Sequence, residues 1–248
     1  KMLINKTLSN TLFMTLFPAF SHISKIRLAG ILAFILLWPT CAISTNTNID
    51  SGEERAEDEP VITNEITKAL NLKPNIANGE KIYVMCGQCH MENGWGKKDG
   101  SFPVIAGQHR NVLIKQLEDI QHKNRDNPTM YPFSNPDEIG GLQGISDVTA
   151  YIATLGPNPD PGVGCGEDLE RGDLLYKQRC AQCHGDLGQG NNETFFPRLQ
   201  GQHYAYLLRQ LQWIRDGYRK NSNEAMLQQI RALSDEELDA ISDYLSRL

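Results

Sequence analysis

Basic residues are in the minority in this sequence: 24 lysines and arginines face 30 aspartates and glutamates. No segment supplies the basic stripe that a phosphate backbone requires, which argues against nucleic-acid binding. Long apolar runs are scarce too. The run Leu28 to Trp38 falls short of the ~20 residues that a membrane-spanning helix needs. Lys25 and Arg27 precede it and the small residues Ala42 and Ser44 follow, which is the order of a secretory signal. Residues 1–44 therefore read as a signal peptide and the protein as exported. An uncleaved anchor, with membrane association through this apolar segment, is the alternative, because a second apolar run, Thr11 to Phe20, lies ahead of the first. Lipidation at Cys41 lacks support, since Trp38-Pro39-Thr40 is without the leucine and small residues that precede such a cysteine.

Removing residues 1–44 takes away four basic side chains and no acidic one, which leaves 20 basic against 30 acidic and a formal charge of −10. The acid is unevenly placed. Asp50, Glu53, Glu54, Glu57, Asp58 and Glu59 stand against Arg55 alone. Residues 45–72 accordingly read as an acidic, largely disordered leader.

What the chain does have is Cys86-Gly87-Gln88-Cys89-His90 and its echo Cys180-Ala181-Gln182-Cys183-His184. C-x-x-C-H is the attachment signature of c-type haem. The two thiols add across the haem vinyl groups, and the adjacent imidazole meets the iron as proximal ligand. A redox dithiol needs a thioredoxin-like βαβ context, and a zinc site needs two further ligands at zinc spacing. Neither reading calls for a histidine at the next position, and here it is present twice.

The surroundings repeat as well, at an offset of 94 residues. Pro103-Val-Ile-Ala-Gly107-Gln108-His109 returns as Pro197-Arg-Leu-Gln-Gly201-Gln202-His203. Leu113, Gln116, Leu117 and Ile120 on a middle helix answer Leu207, Gln210, Leu211 and Ile214. Gly79 and Tyr83 before the first motif answer Gly172 and Tyr176 before the second. A glycine with an aromatic one turn later permits another helix to cross closely. The partners are a final helix in each half, Asp147 to Leu155 and Asp235 to Leu248. Ser234 and Glu237 give a capping-box signal at the start of the latter. The chain thus reads as all-α, with two tandem domains, 73–156 and 167–248, joined by a Pro/Gly-rich linker at 157–166. Domains of ~90 residues are near the size where a hydrophobic core alone is marginal, and covalent haem supplies the deficit. Cys165, in the join, has no obvious mate.

An electron-carrying haem needs its sixth position filled, and methionine sulfur favours the reduced iron and blocks outside ligands. Of six methionines, Met2 and Met14 lie in the leader and Met85 and Met91 flank the first motif too closely. Met130 and Met226 remain, 40 and 42 residues beyond His90 and His184, each in a loop between the middle and final helices. His109 and His203, both 19 residues beyond the proximal histidine, are competing ligands better read as packing or supporting residues. Pro103 and Pro197 follow the proximal histidines by 13 residues, where a carbonyl would accept the other ring N–H and fix the imidazole.

Gly-x-x-x-aromatic, C-x-x-C-H, Pro-x-x-x-Gly-Gln, Gln-Leu and a late Met, present twice over 78–248, resemble the cytochrome c4 family. That resemblance implies two class I cytochrome c domains in the bacterial periplasm and two haem c groups. It also implies electron passage, without enzymatic chemistry, from a membrane quinol-oxidising complex to a terminal oxidase or another acceptor. A cytochrome subunit of a periplasmic dehydrogenase, acting on sulfur compounds or alcohols, is the alternative. A dihaem peroxidase would need one open sixth position, against which a methionine in each half argues. The second half keeps the family's His184-Gly185, whereas the first departs with His90-Met91-Glu92. The surroundings of the two methionines differ as well, Met226 being followed by Leu227 and Met130 by Tyr131-Pro132.

Overall fold

The computed structural model describes residues 62–248. The expected signal or anchor and the most acidic part of the leader lie outside them. The first half begins with α1 (Asn64–Asn71) and α2 (Ile76–His90), which ends on the first haem motif. It continues through α3 (Arg110–Gln121), the short α4 (Tyr131–Ser134) and α5 (Pro136–Ile139), and α6 (Gly141–Thr154). The second half is α7 (Leu169–Arg179), α8 (Ala181–His184), α9 (Tyr204–Arg215), α10 (Glu224–Ile230) and α11 (Asp235–Leu245). Among the described residues the only β-type pairing is an isolated bridge between Asn191 and Phe196. The all-α expectation is met.

The helix crossings are set by the two glycines. A Cβ on Gly79 would sit 2.2 Å from the Asp147 carbonyl oxygen, and one on Gly172 would sit 2.2 Å from that of Ala240. Only glycine allows α2 onto α6 and α7 onto α11 at that distance. Beside each crossing a pair of tyrosine rings packs, Tyr83 with Tyr151 at 5.3 Å and Tyr176 with Tyr244 at 5.8 Å. In the second half one apolar cluster joins Tyr176, Leu207, Leu211, Ile214, Leu238, Ile241 and Leu245. The apolar spacing read from α9 and α11 therefore faces inward. Ser234 and Glu237 close the capping box at the start of α11.

Three expectations need correction. Residues 64–71 are not disordered leader but a helix of the first half. Thr63 caps α1, accepting a hydrogen bond from the Ile66 N–H. Ile66 and Ala69, one turn apart, are buried against Ile114, Ile139 and Ile145. The Arg110 guanidinium secures the far end, donating to the carbonyls of Ala69, Leu70 and Leu72 and to Ser146 Oγ. The final helix of the first half starts at Gly141 rather than Asp147. Met226 lies within α10 rather than in a loop, because the Asn223 side chain caps a helical turn there by accepting from the Met226 N–H at 2.9 Å.

The join is docked along its length. Gly162 N–H donates to His203 Nδ1 at 3.0 Å, and Gly164 and Gly166 N–H donate to the Asp243 carboxylate. Arg247 adds a bond to the Gly164 carbonyl at 2.8 Å. Prolines and these contacts together restrict the swing of one half against the other.

Candidate functional site

Each C-x-x-C-H closes a helix, so its thiols stand a turn apart and its histidine sits at the helix end. In the first half α2 runs unbroken through the motif; in the second, Cys180 separates α7 from α8. Cys86, Cys89, Cys180 and Cys183 form no disulfide. Burial pushes the Cys86 thiol up to about 11 and the Cys180 thiol up to about 12. A redox-active dithiol needs a lowered thiol pKa, so the environment runs against that chemistry.

His90 and His184 are 7% and 6% exposed. His90 Nδ1 lies 3.1 Å from the Pro103 carbonyl oxygen, and His184 Nδ1 lies 3.0 Å from that of Pro197. A carbonyl only accepts, so each Nδ1 carries the proton and each Nε2 keeps its lone pair for an iron. Burial lowers both imidazole pKa values and keeps the rings neutral. Phe102 and Phe196 flank these rings at 6.2 and 6.1 Å between centroids. Met130 heads α4, with its carbonyl accepting from the Phe133 and Ser134 N–H groups. Met226, on α10, packs partly buried against the apolar cluster of the second half.

His109 and His203 stand elsewhere, at the interface between the halves. His109 Nε2 donates to the Gln189 carbonyl at 2.8 Å and His203 Nε2 donates to the Trp95 carbonyl at 2.7 Å. Gln108 and Gln202 do the same work more fully. Gln202 accepts from the Val104 N–H and donates back to the Val104 carbonyl, at 2.9 and 2.8 Å. Gln108 makes the reciprocal pair with Arg198, both bonds at 2.9 Å. Positions 104 and 198, 108 and 202, 95 and 189 all differ by 94, so the halves meet about a pseudo-two-fold axis.

Sequence reading missed a third symmetric element, Arg125 and Arg219. Arg125 donates to Gln116 at 2.6 Å, Tyr206 at 2.6 Å and Gln210 at 3.1 Å. Arg219 donates to Gln210 at 2.9 Å and Gln116 at 3.3 Å. Among the described residues no carboxylate pairs with either guanidinium. The nearby Asp119 is engaged by Lys115 and Asn221. Burial, and then the charge of Arg125, brings Arg219 down to about 9. The signal was available: Arg125 and Arg219 obey the same 94-residue offset as the motifs.

Free thiols, a neutral imidazole fixed through Nδ1, and a guanidinium pair without counter-charge fit covalently held haem, whose propionates are acidic. Comparison with known proteins agrees. The cytochrome c family model matches twice, over residues 76–156 and 169–248. The chain is 32% identical to cytochrome c4 of Azotobacter vinelandii, over 76% of this chain and 96% of that one. The chain belongs to the cytochrome c4 family. It is 31% identical to the thiosulfate dehydrogenase electron acceptor of Stutzerimonas stutzeri (strain A1501), over 72% of this chain and 90% of that protein. The crystal structure of reduced recombinant cytochrome c4 from Pseudomonas stutzeri aligns with a TM-score of 0.61 at 28% identity, covering 71% of this chain and all of that one. As a member of the cytochrome c4 family the protein carries two haem c groups and transfers electrons; it is not an enzyme.

Proposed function

We propose that Cys86 and Cys89 in the first half, and Cys180 and Cys183 in the second, hold the haems covalently. His90 and His184 are then the proximal ligands, Met130 and Met226 the opposite ones. The observation that carries this reading is the duplicated His–carbonyl geometry, Nδ1 bound and Nε2 left with its lone pair, at the end of each C-x-x-C-H helix. When bound, haem supplies a one-electron couple. The protein's part is to fix each imidazole through Pro103 or Pro197, to exclude water by burying it, and to keep the two centres at one distance through the Gln108 and Gln202 clasps. Met130 stands five residues after Arg125, and Met226 seven after Arg219, so the interface also anchors both methionine segments.

The same reading places the protein in the periplasm, carrying electrons from a membrane quinol-oxidising complex to a terminal oxidase or another acceptor. The secretory order of residues 1–44 and the extracytoplasmic setting of c-type attachment support export. No helix among the described residues is long and apolar enough to cross a membrane. A second reading, favoured by the likeness to a thiosulfate dehydrogenase electron acceptor, makes a sulfur-oxidising dehydrogenase the donor. The net acidity predicts that docking to a basic partner weakens with salt.

Optical spectra of the purified protein, with haem counted per chain, test the assignment. Two covalent haems, and a far-red Met–Fe(III) band strong enough for both, are expected. Loss of half that band in Met130→Ala, and of the other half in Met226→Ala, assigns each sulfur. A full band in either variant rejects that methionine. Stopped-flow reduction by thiosulfate dehydrogenase, compared with reduction by a quinol-oxidising complex, separates the two donors.

A further inference from the structure

On the first half, away from the haem motifs and the interface, α1 and α3 bring together Glu65, Glu118 and His122. One nitrogen or oxygen from each lies within 4.8 Å of the other two. Glu118 is on the last turn of α3 and His122, one turn on, is its C-cap, while Glu65 comes from α1 across the contact. Glu118 is 5% exposed. Among the described residues no side chain donates a hydrogen bond to its carboxylate, and its nearest charge partner is His122 Nδ1 at 3.8 Å. With its side chain 7% exposed the carboxylate has lost most of its hydration, a loss that a nearby cation would offset.

The ring of His122 is already oriented. Nδ1 lies 3.1 Å from the Glu118 backbone carbonyl and donates to it, so the neutral ring keeps its lone pair on Nε2. That lone pair faces Glu65 Oε2 at 3.9 Å. With the ring neutral, a lone pair faces one carboxylate with a second behind it, a repulsion that positive charge relieves, whether a proton on the ring or a bound cation. Zinc–nitrogen and zinc–oxygen bonds near 2.1 Å would set the tetrahedral edges at about 3.4 Å, so the three groups, now within 4.8 Å of one another, would draw together on the ion. One imidazole and two carboxylates suit zinc and its first-row neighbours rather than calcium or magnesium, which take six or more oxygens or keep several waters.

We propose that Glu65, Glu118 and His122 form a structural site for one first-row divalent cation of the zinc type, which clamps α1 onto α3. The site belongs to the first half alone. At the 94-residue offset the second half has Gln212 and Asp216, and no helix stands in the place of α1. Nor is α1 part of the stretch that the cytochrome c family model matches, which begins at residue 76. The ion would therefore hold a helix that lies ahead of the first matched cytochrome c domain.

The test uses the complete, haem-loaded protein after treatment with a chelator, titrated with zinc chloride in a calorimeter. Amide hydrogen exchange of residues 64–71 is followed in parallel. One zinc per chain and slower exchange in α1 are expected, with the haem spectrum unchanged. His122→Gln and Glu65→Gln, both at half-exposed positions that leave the core intact, should each weaken zinc binding by at least about tenfold and abolish the protection. His109→Gln should leave both intact. Absence of zinc binding, equal binding in the His122 and Glu65 variants, or protection falling outside α1 would overturn the proposal.

Discussion

After its proximal histidine the second half places Gly185, at φ 80° and ψ 162°; the first half places Met91 at φ 67° and ψ 159°. This corner of backbone space is essentially reserved for glycine. The turn is needed in both halves because the chain must double back to bring a proline carbonyl onto the histidine. Tyr83 donates to the Met91 carbonyl and Tyr176 donates to that of Gly185, while Gly96 and Gly190 N–H bond the carbonyls of the two proximal histidines. The same contrast recurs after the middle helix, where Lys123 at φ 60° stands opposite Gly217 at φ 79°. At other equivalent turns the glycines match, as in Gly94 with Gly188, Gly96 with Gly190 and Gly107 with Gly201. The conformation is therefore imposed by the hydrogen bonds around it. The first half meets it at a cost that the second half avoids.

Exchanging the residues sharpens this contrast most. Gly185→Met should destabilise the second half by about 2–3 kcal/mol, the cost of a side chain in that region. Its Cβ would also displace Gln189, whose side chain accepts from the Leu187 N–H. Met91→Gly should have the opposite sign, stabilising the first half by about 1–2 kcal/mol. Denaturant unfolding, followed at the haem of each half, reads both. If Gly185→Met has no effect, the loop relaxes freely and the comparison loses its meaning.

A second asymmetry lies in the interface histidines. His203 is clasped at both nitrogens, accepting from Gly162 and donating to Trp95, whereas the contact made by His109 is through Nε2 to Gln189. Burial lowers the His203 pKa below its ordinary value near 6.5, against the opposing bond to Trp95; Lys98 lowers it further and Asp99 raises it. On acidification the unfolded chain binds this proton before the folded one does. Stability should therefore fall as pH drops below about 6.5 and continue to fall until the folded value is passed. His203→Gln should flatten that slope between about pH 7 and 5, and His109→Gln should not. A slope unchanged by His203→Gln would remove His203 from the interface balance. On the proposed ligation His90 and His184 do not contribute, because an iron would engage their lone pairs.

Much of this molecule was legible because its determinants are local in sequence. The haem motifs, the glycine–tyrosine crossings, the Ser234 cap and the proline carbonyls 13 residues on are all matters of spacing within one half. What escaped reading depends on where one half meets the other. Gln108, His109 and their counterparts repeat at the right offset, yet their partners are backbone groups about 80 to 110 residues away, which no periodicity encodes. Helix α1 escaped for another reason. Its acidic neighbours suggested a solvated tail, although Ile62, Ile66, Ala69 and Leu70 already marked an apolar face behind the cap at Thr63. The helical setting of Met226 was signalled by Asn223 three residues before it, a residue type that caps helices.

The smallest expected effect is also the cleanest check on the opening contrast. A Cβ on Gly217 would meet nothing within 4 Å, so Gly217→Ala reports the left-handed conformation without any steric clash. It should cost about 1 kcal/mol, seen as a drop of several degrees in the unfolding midpoint of the second half. The reverse change, Lys123→Gly, should return less than that. The Lys123 ammonium lies 5.8 Å from the centre of the Tyr131 ring, and this cation–π contact, of about 0.5 kcal/mol at an exposed position, goes with the side chain. Lys123→Asn separates the two terms, since asparagine tolerates the left-handed region but has no charge to set over the ring. If Asn is as stable as Gly at position 123, the backbone angle decides; if Asn is no better than Lys, the first half has adapted to its missing glycine by other means.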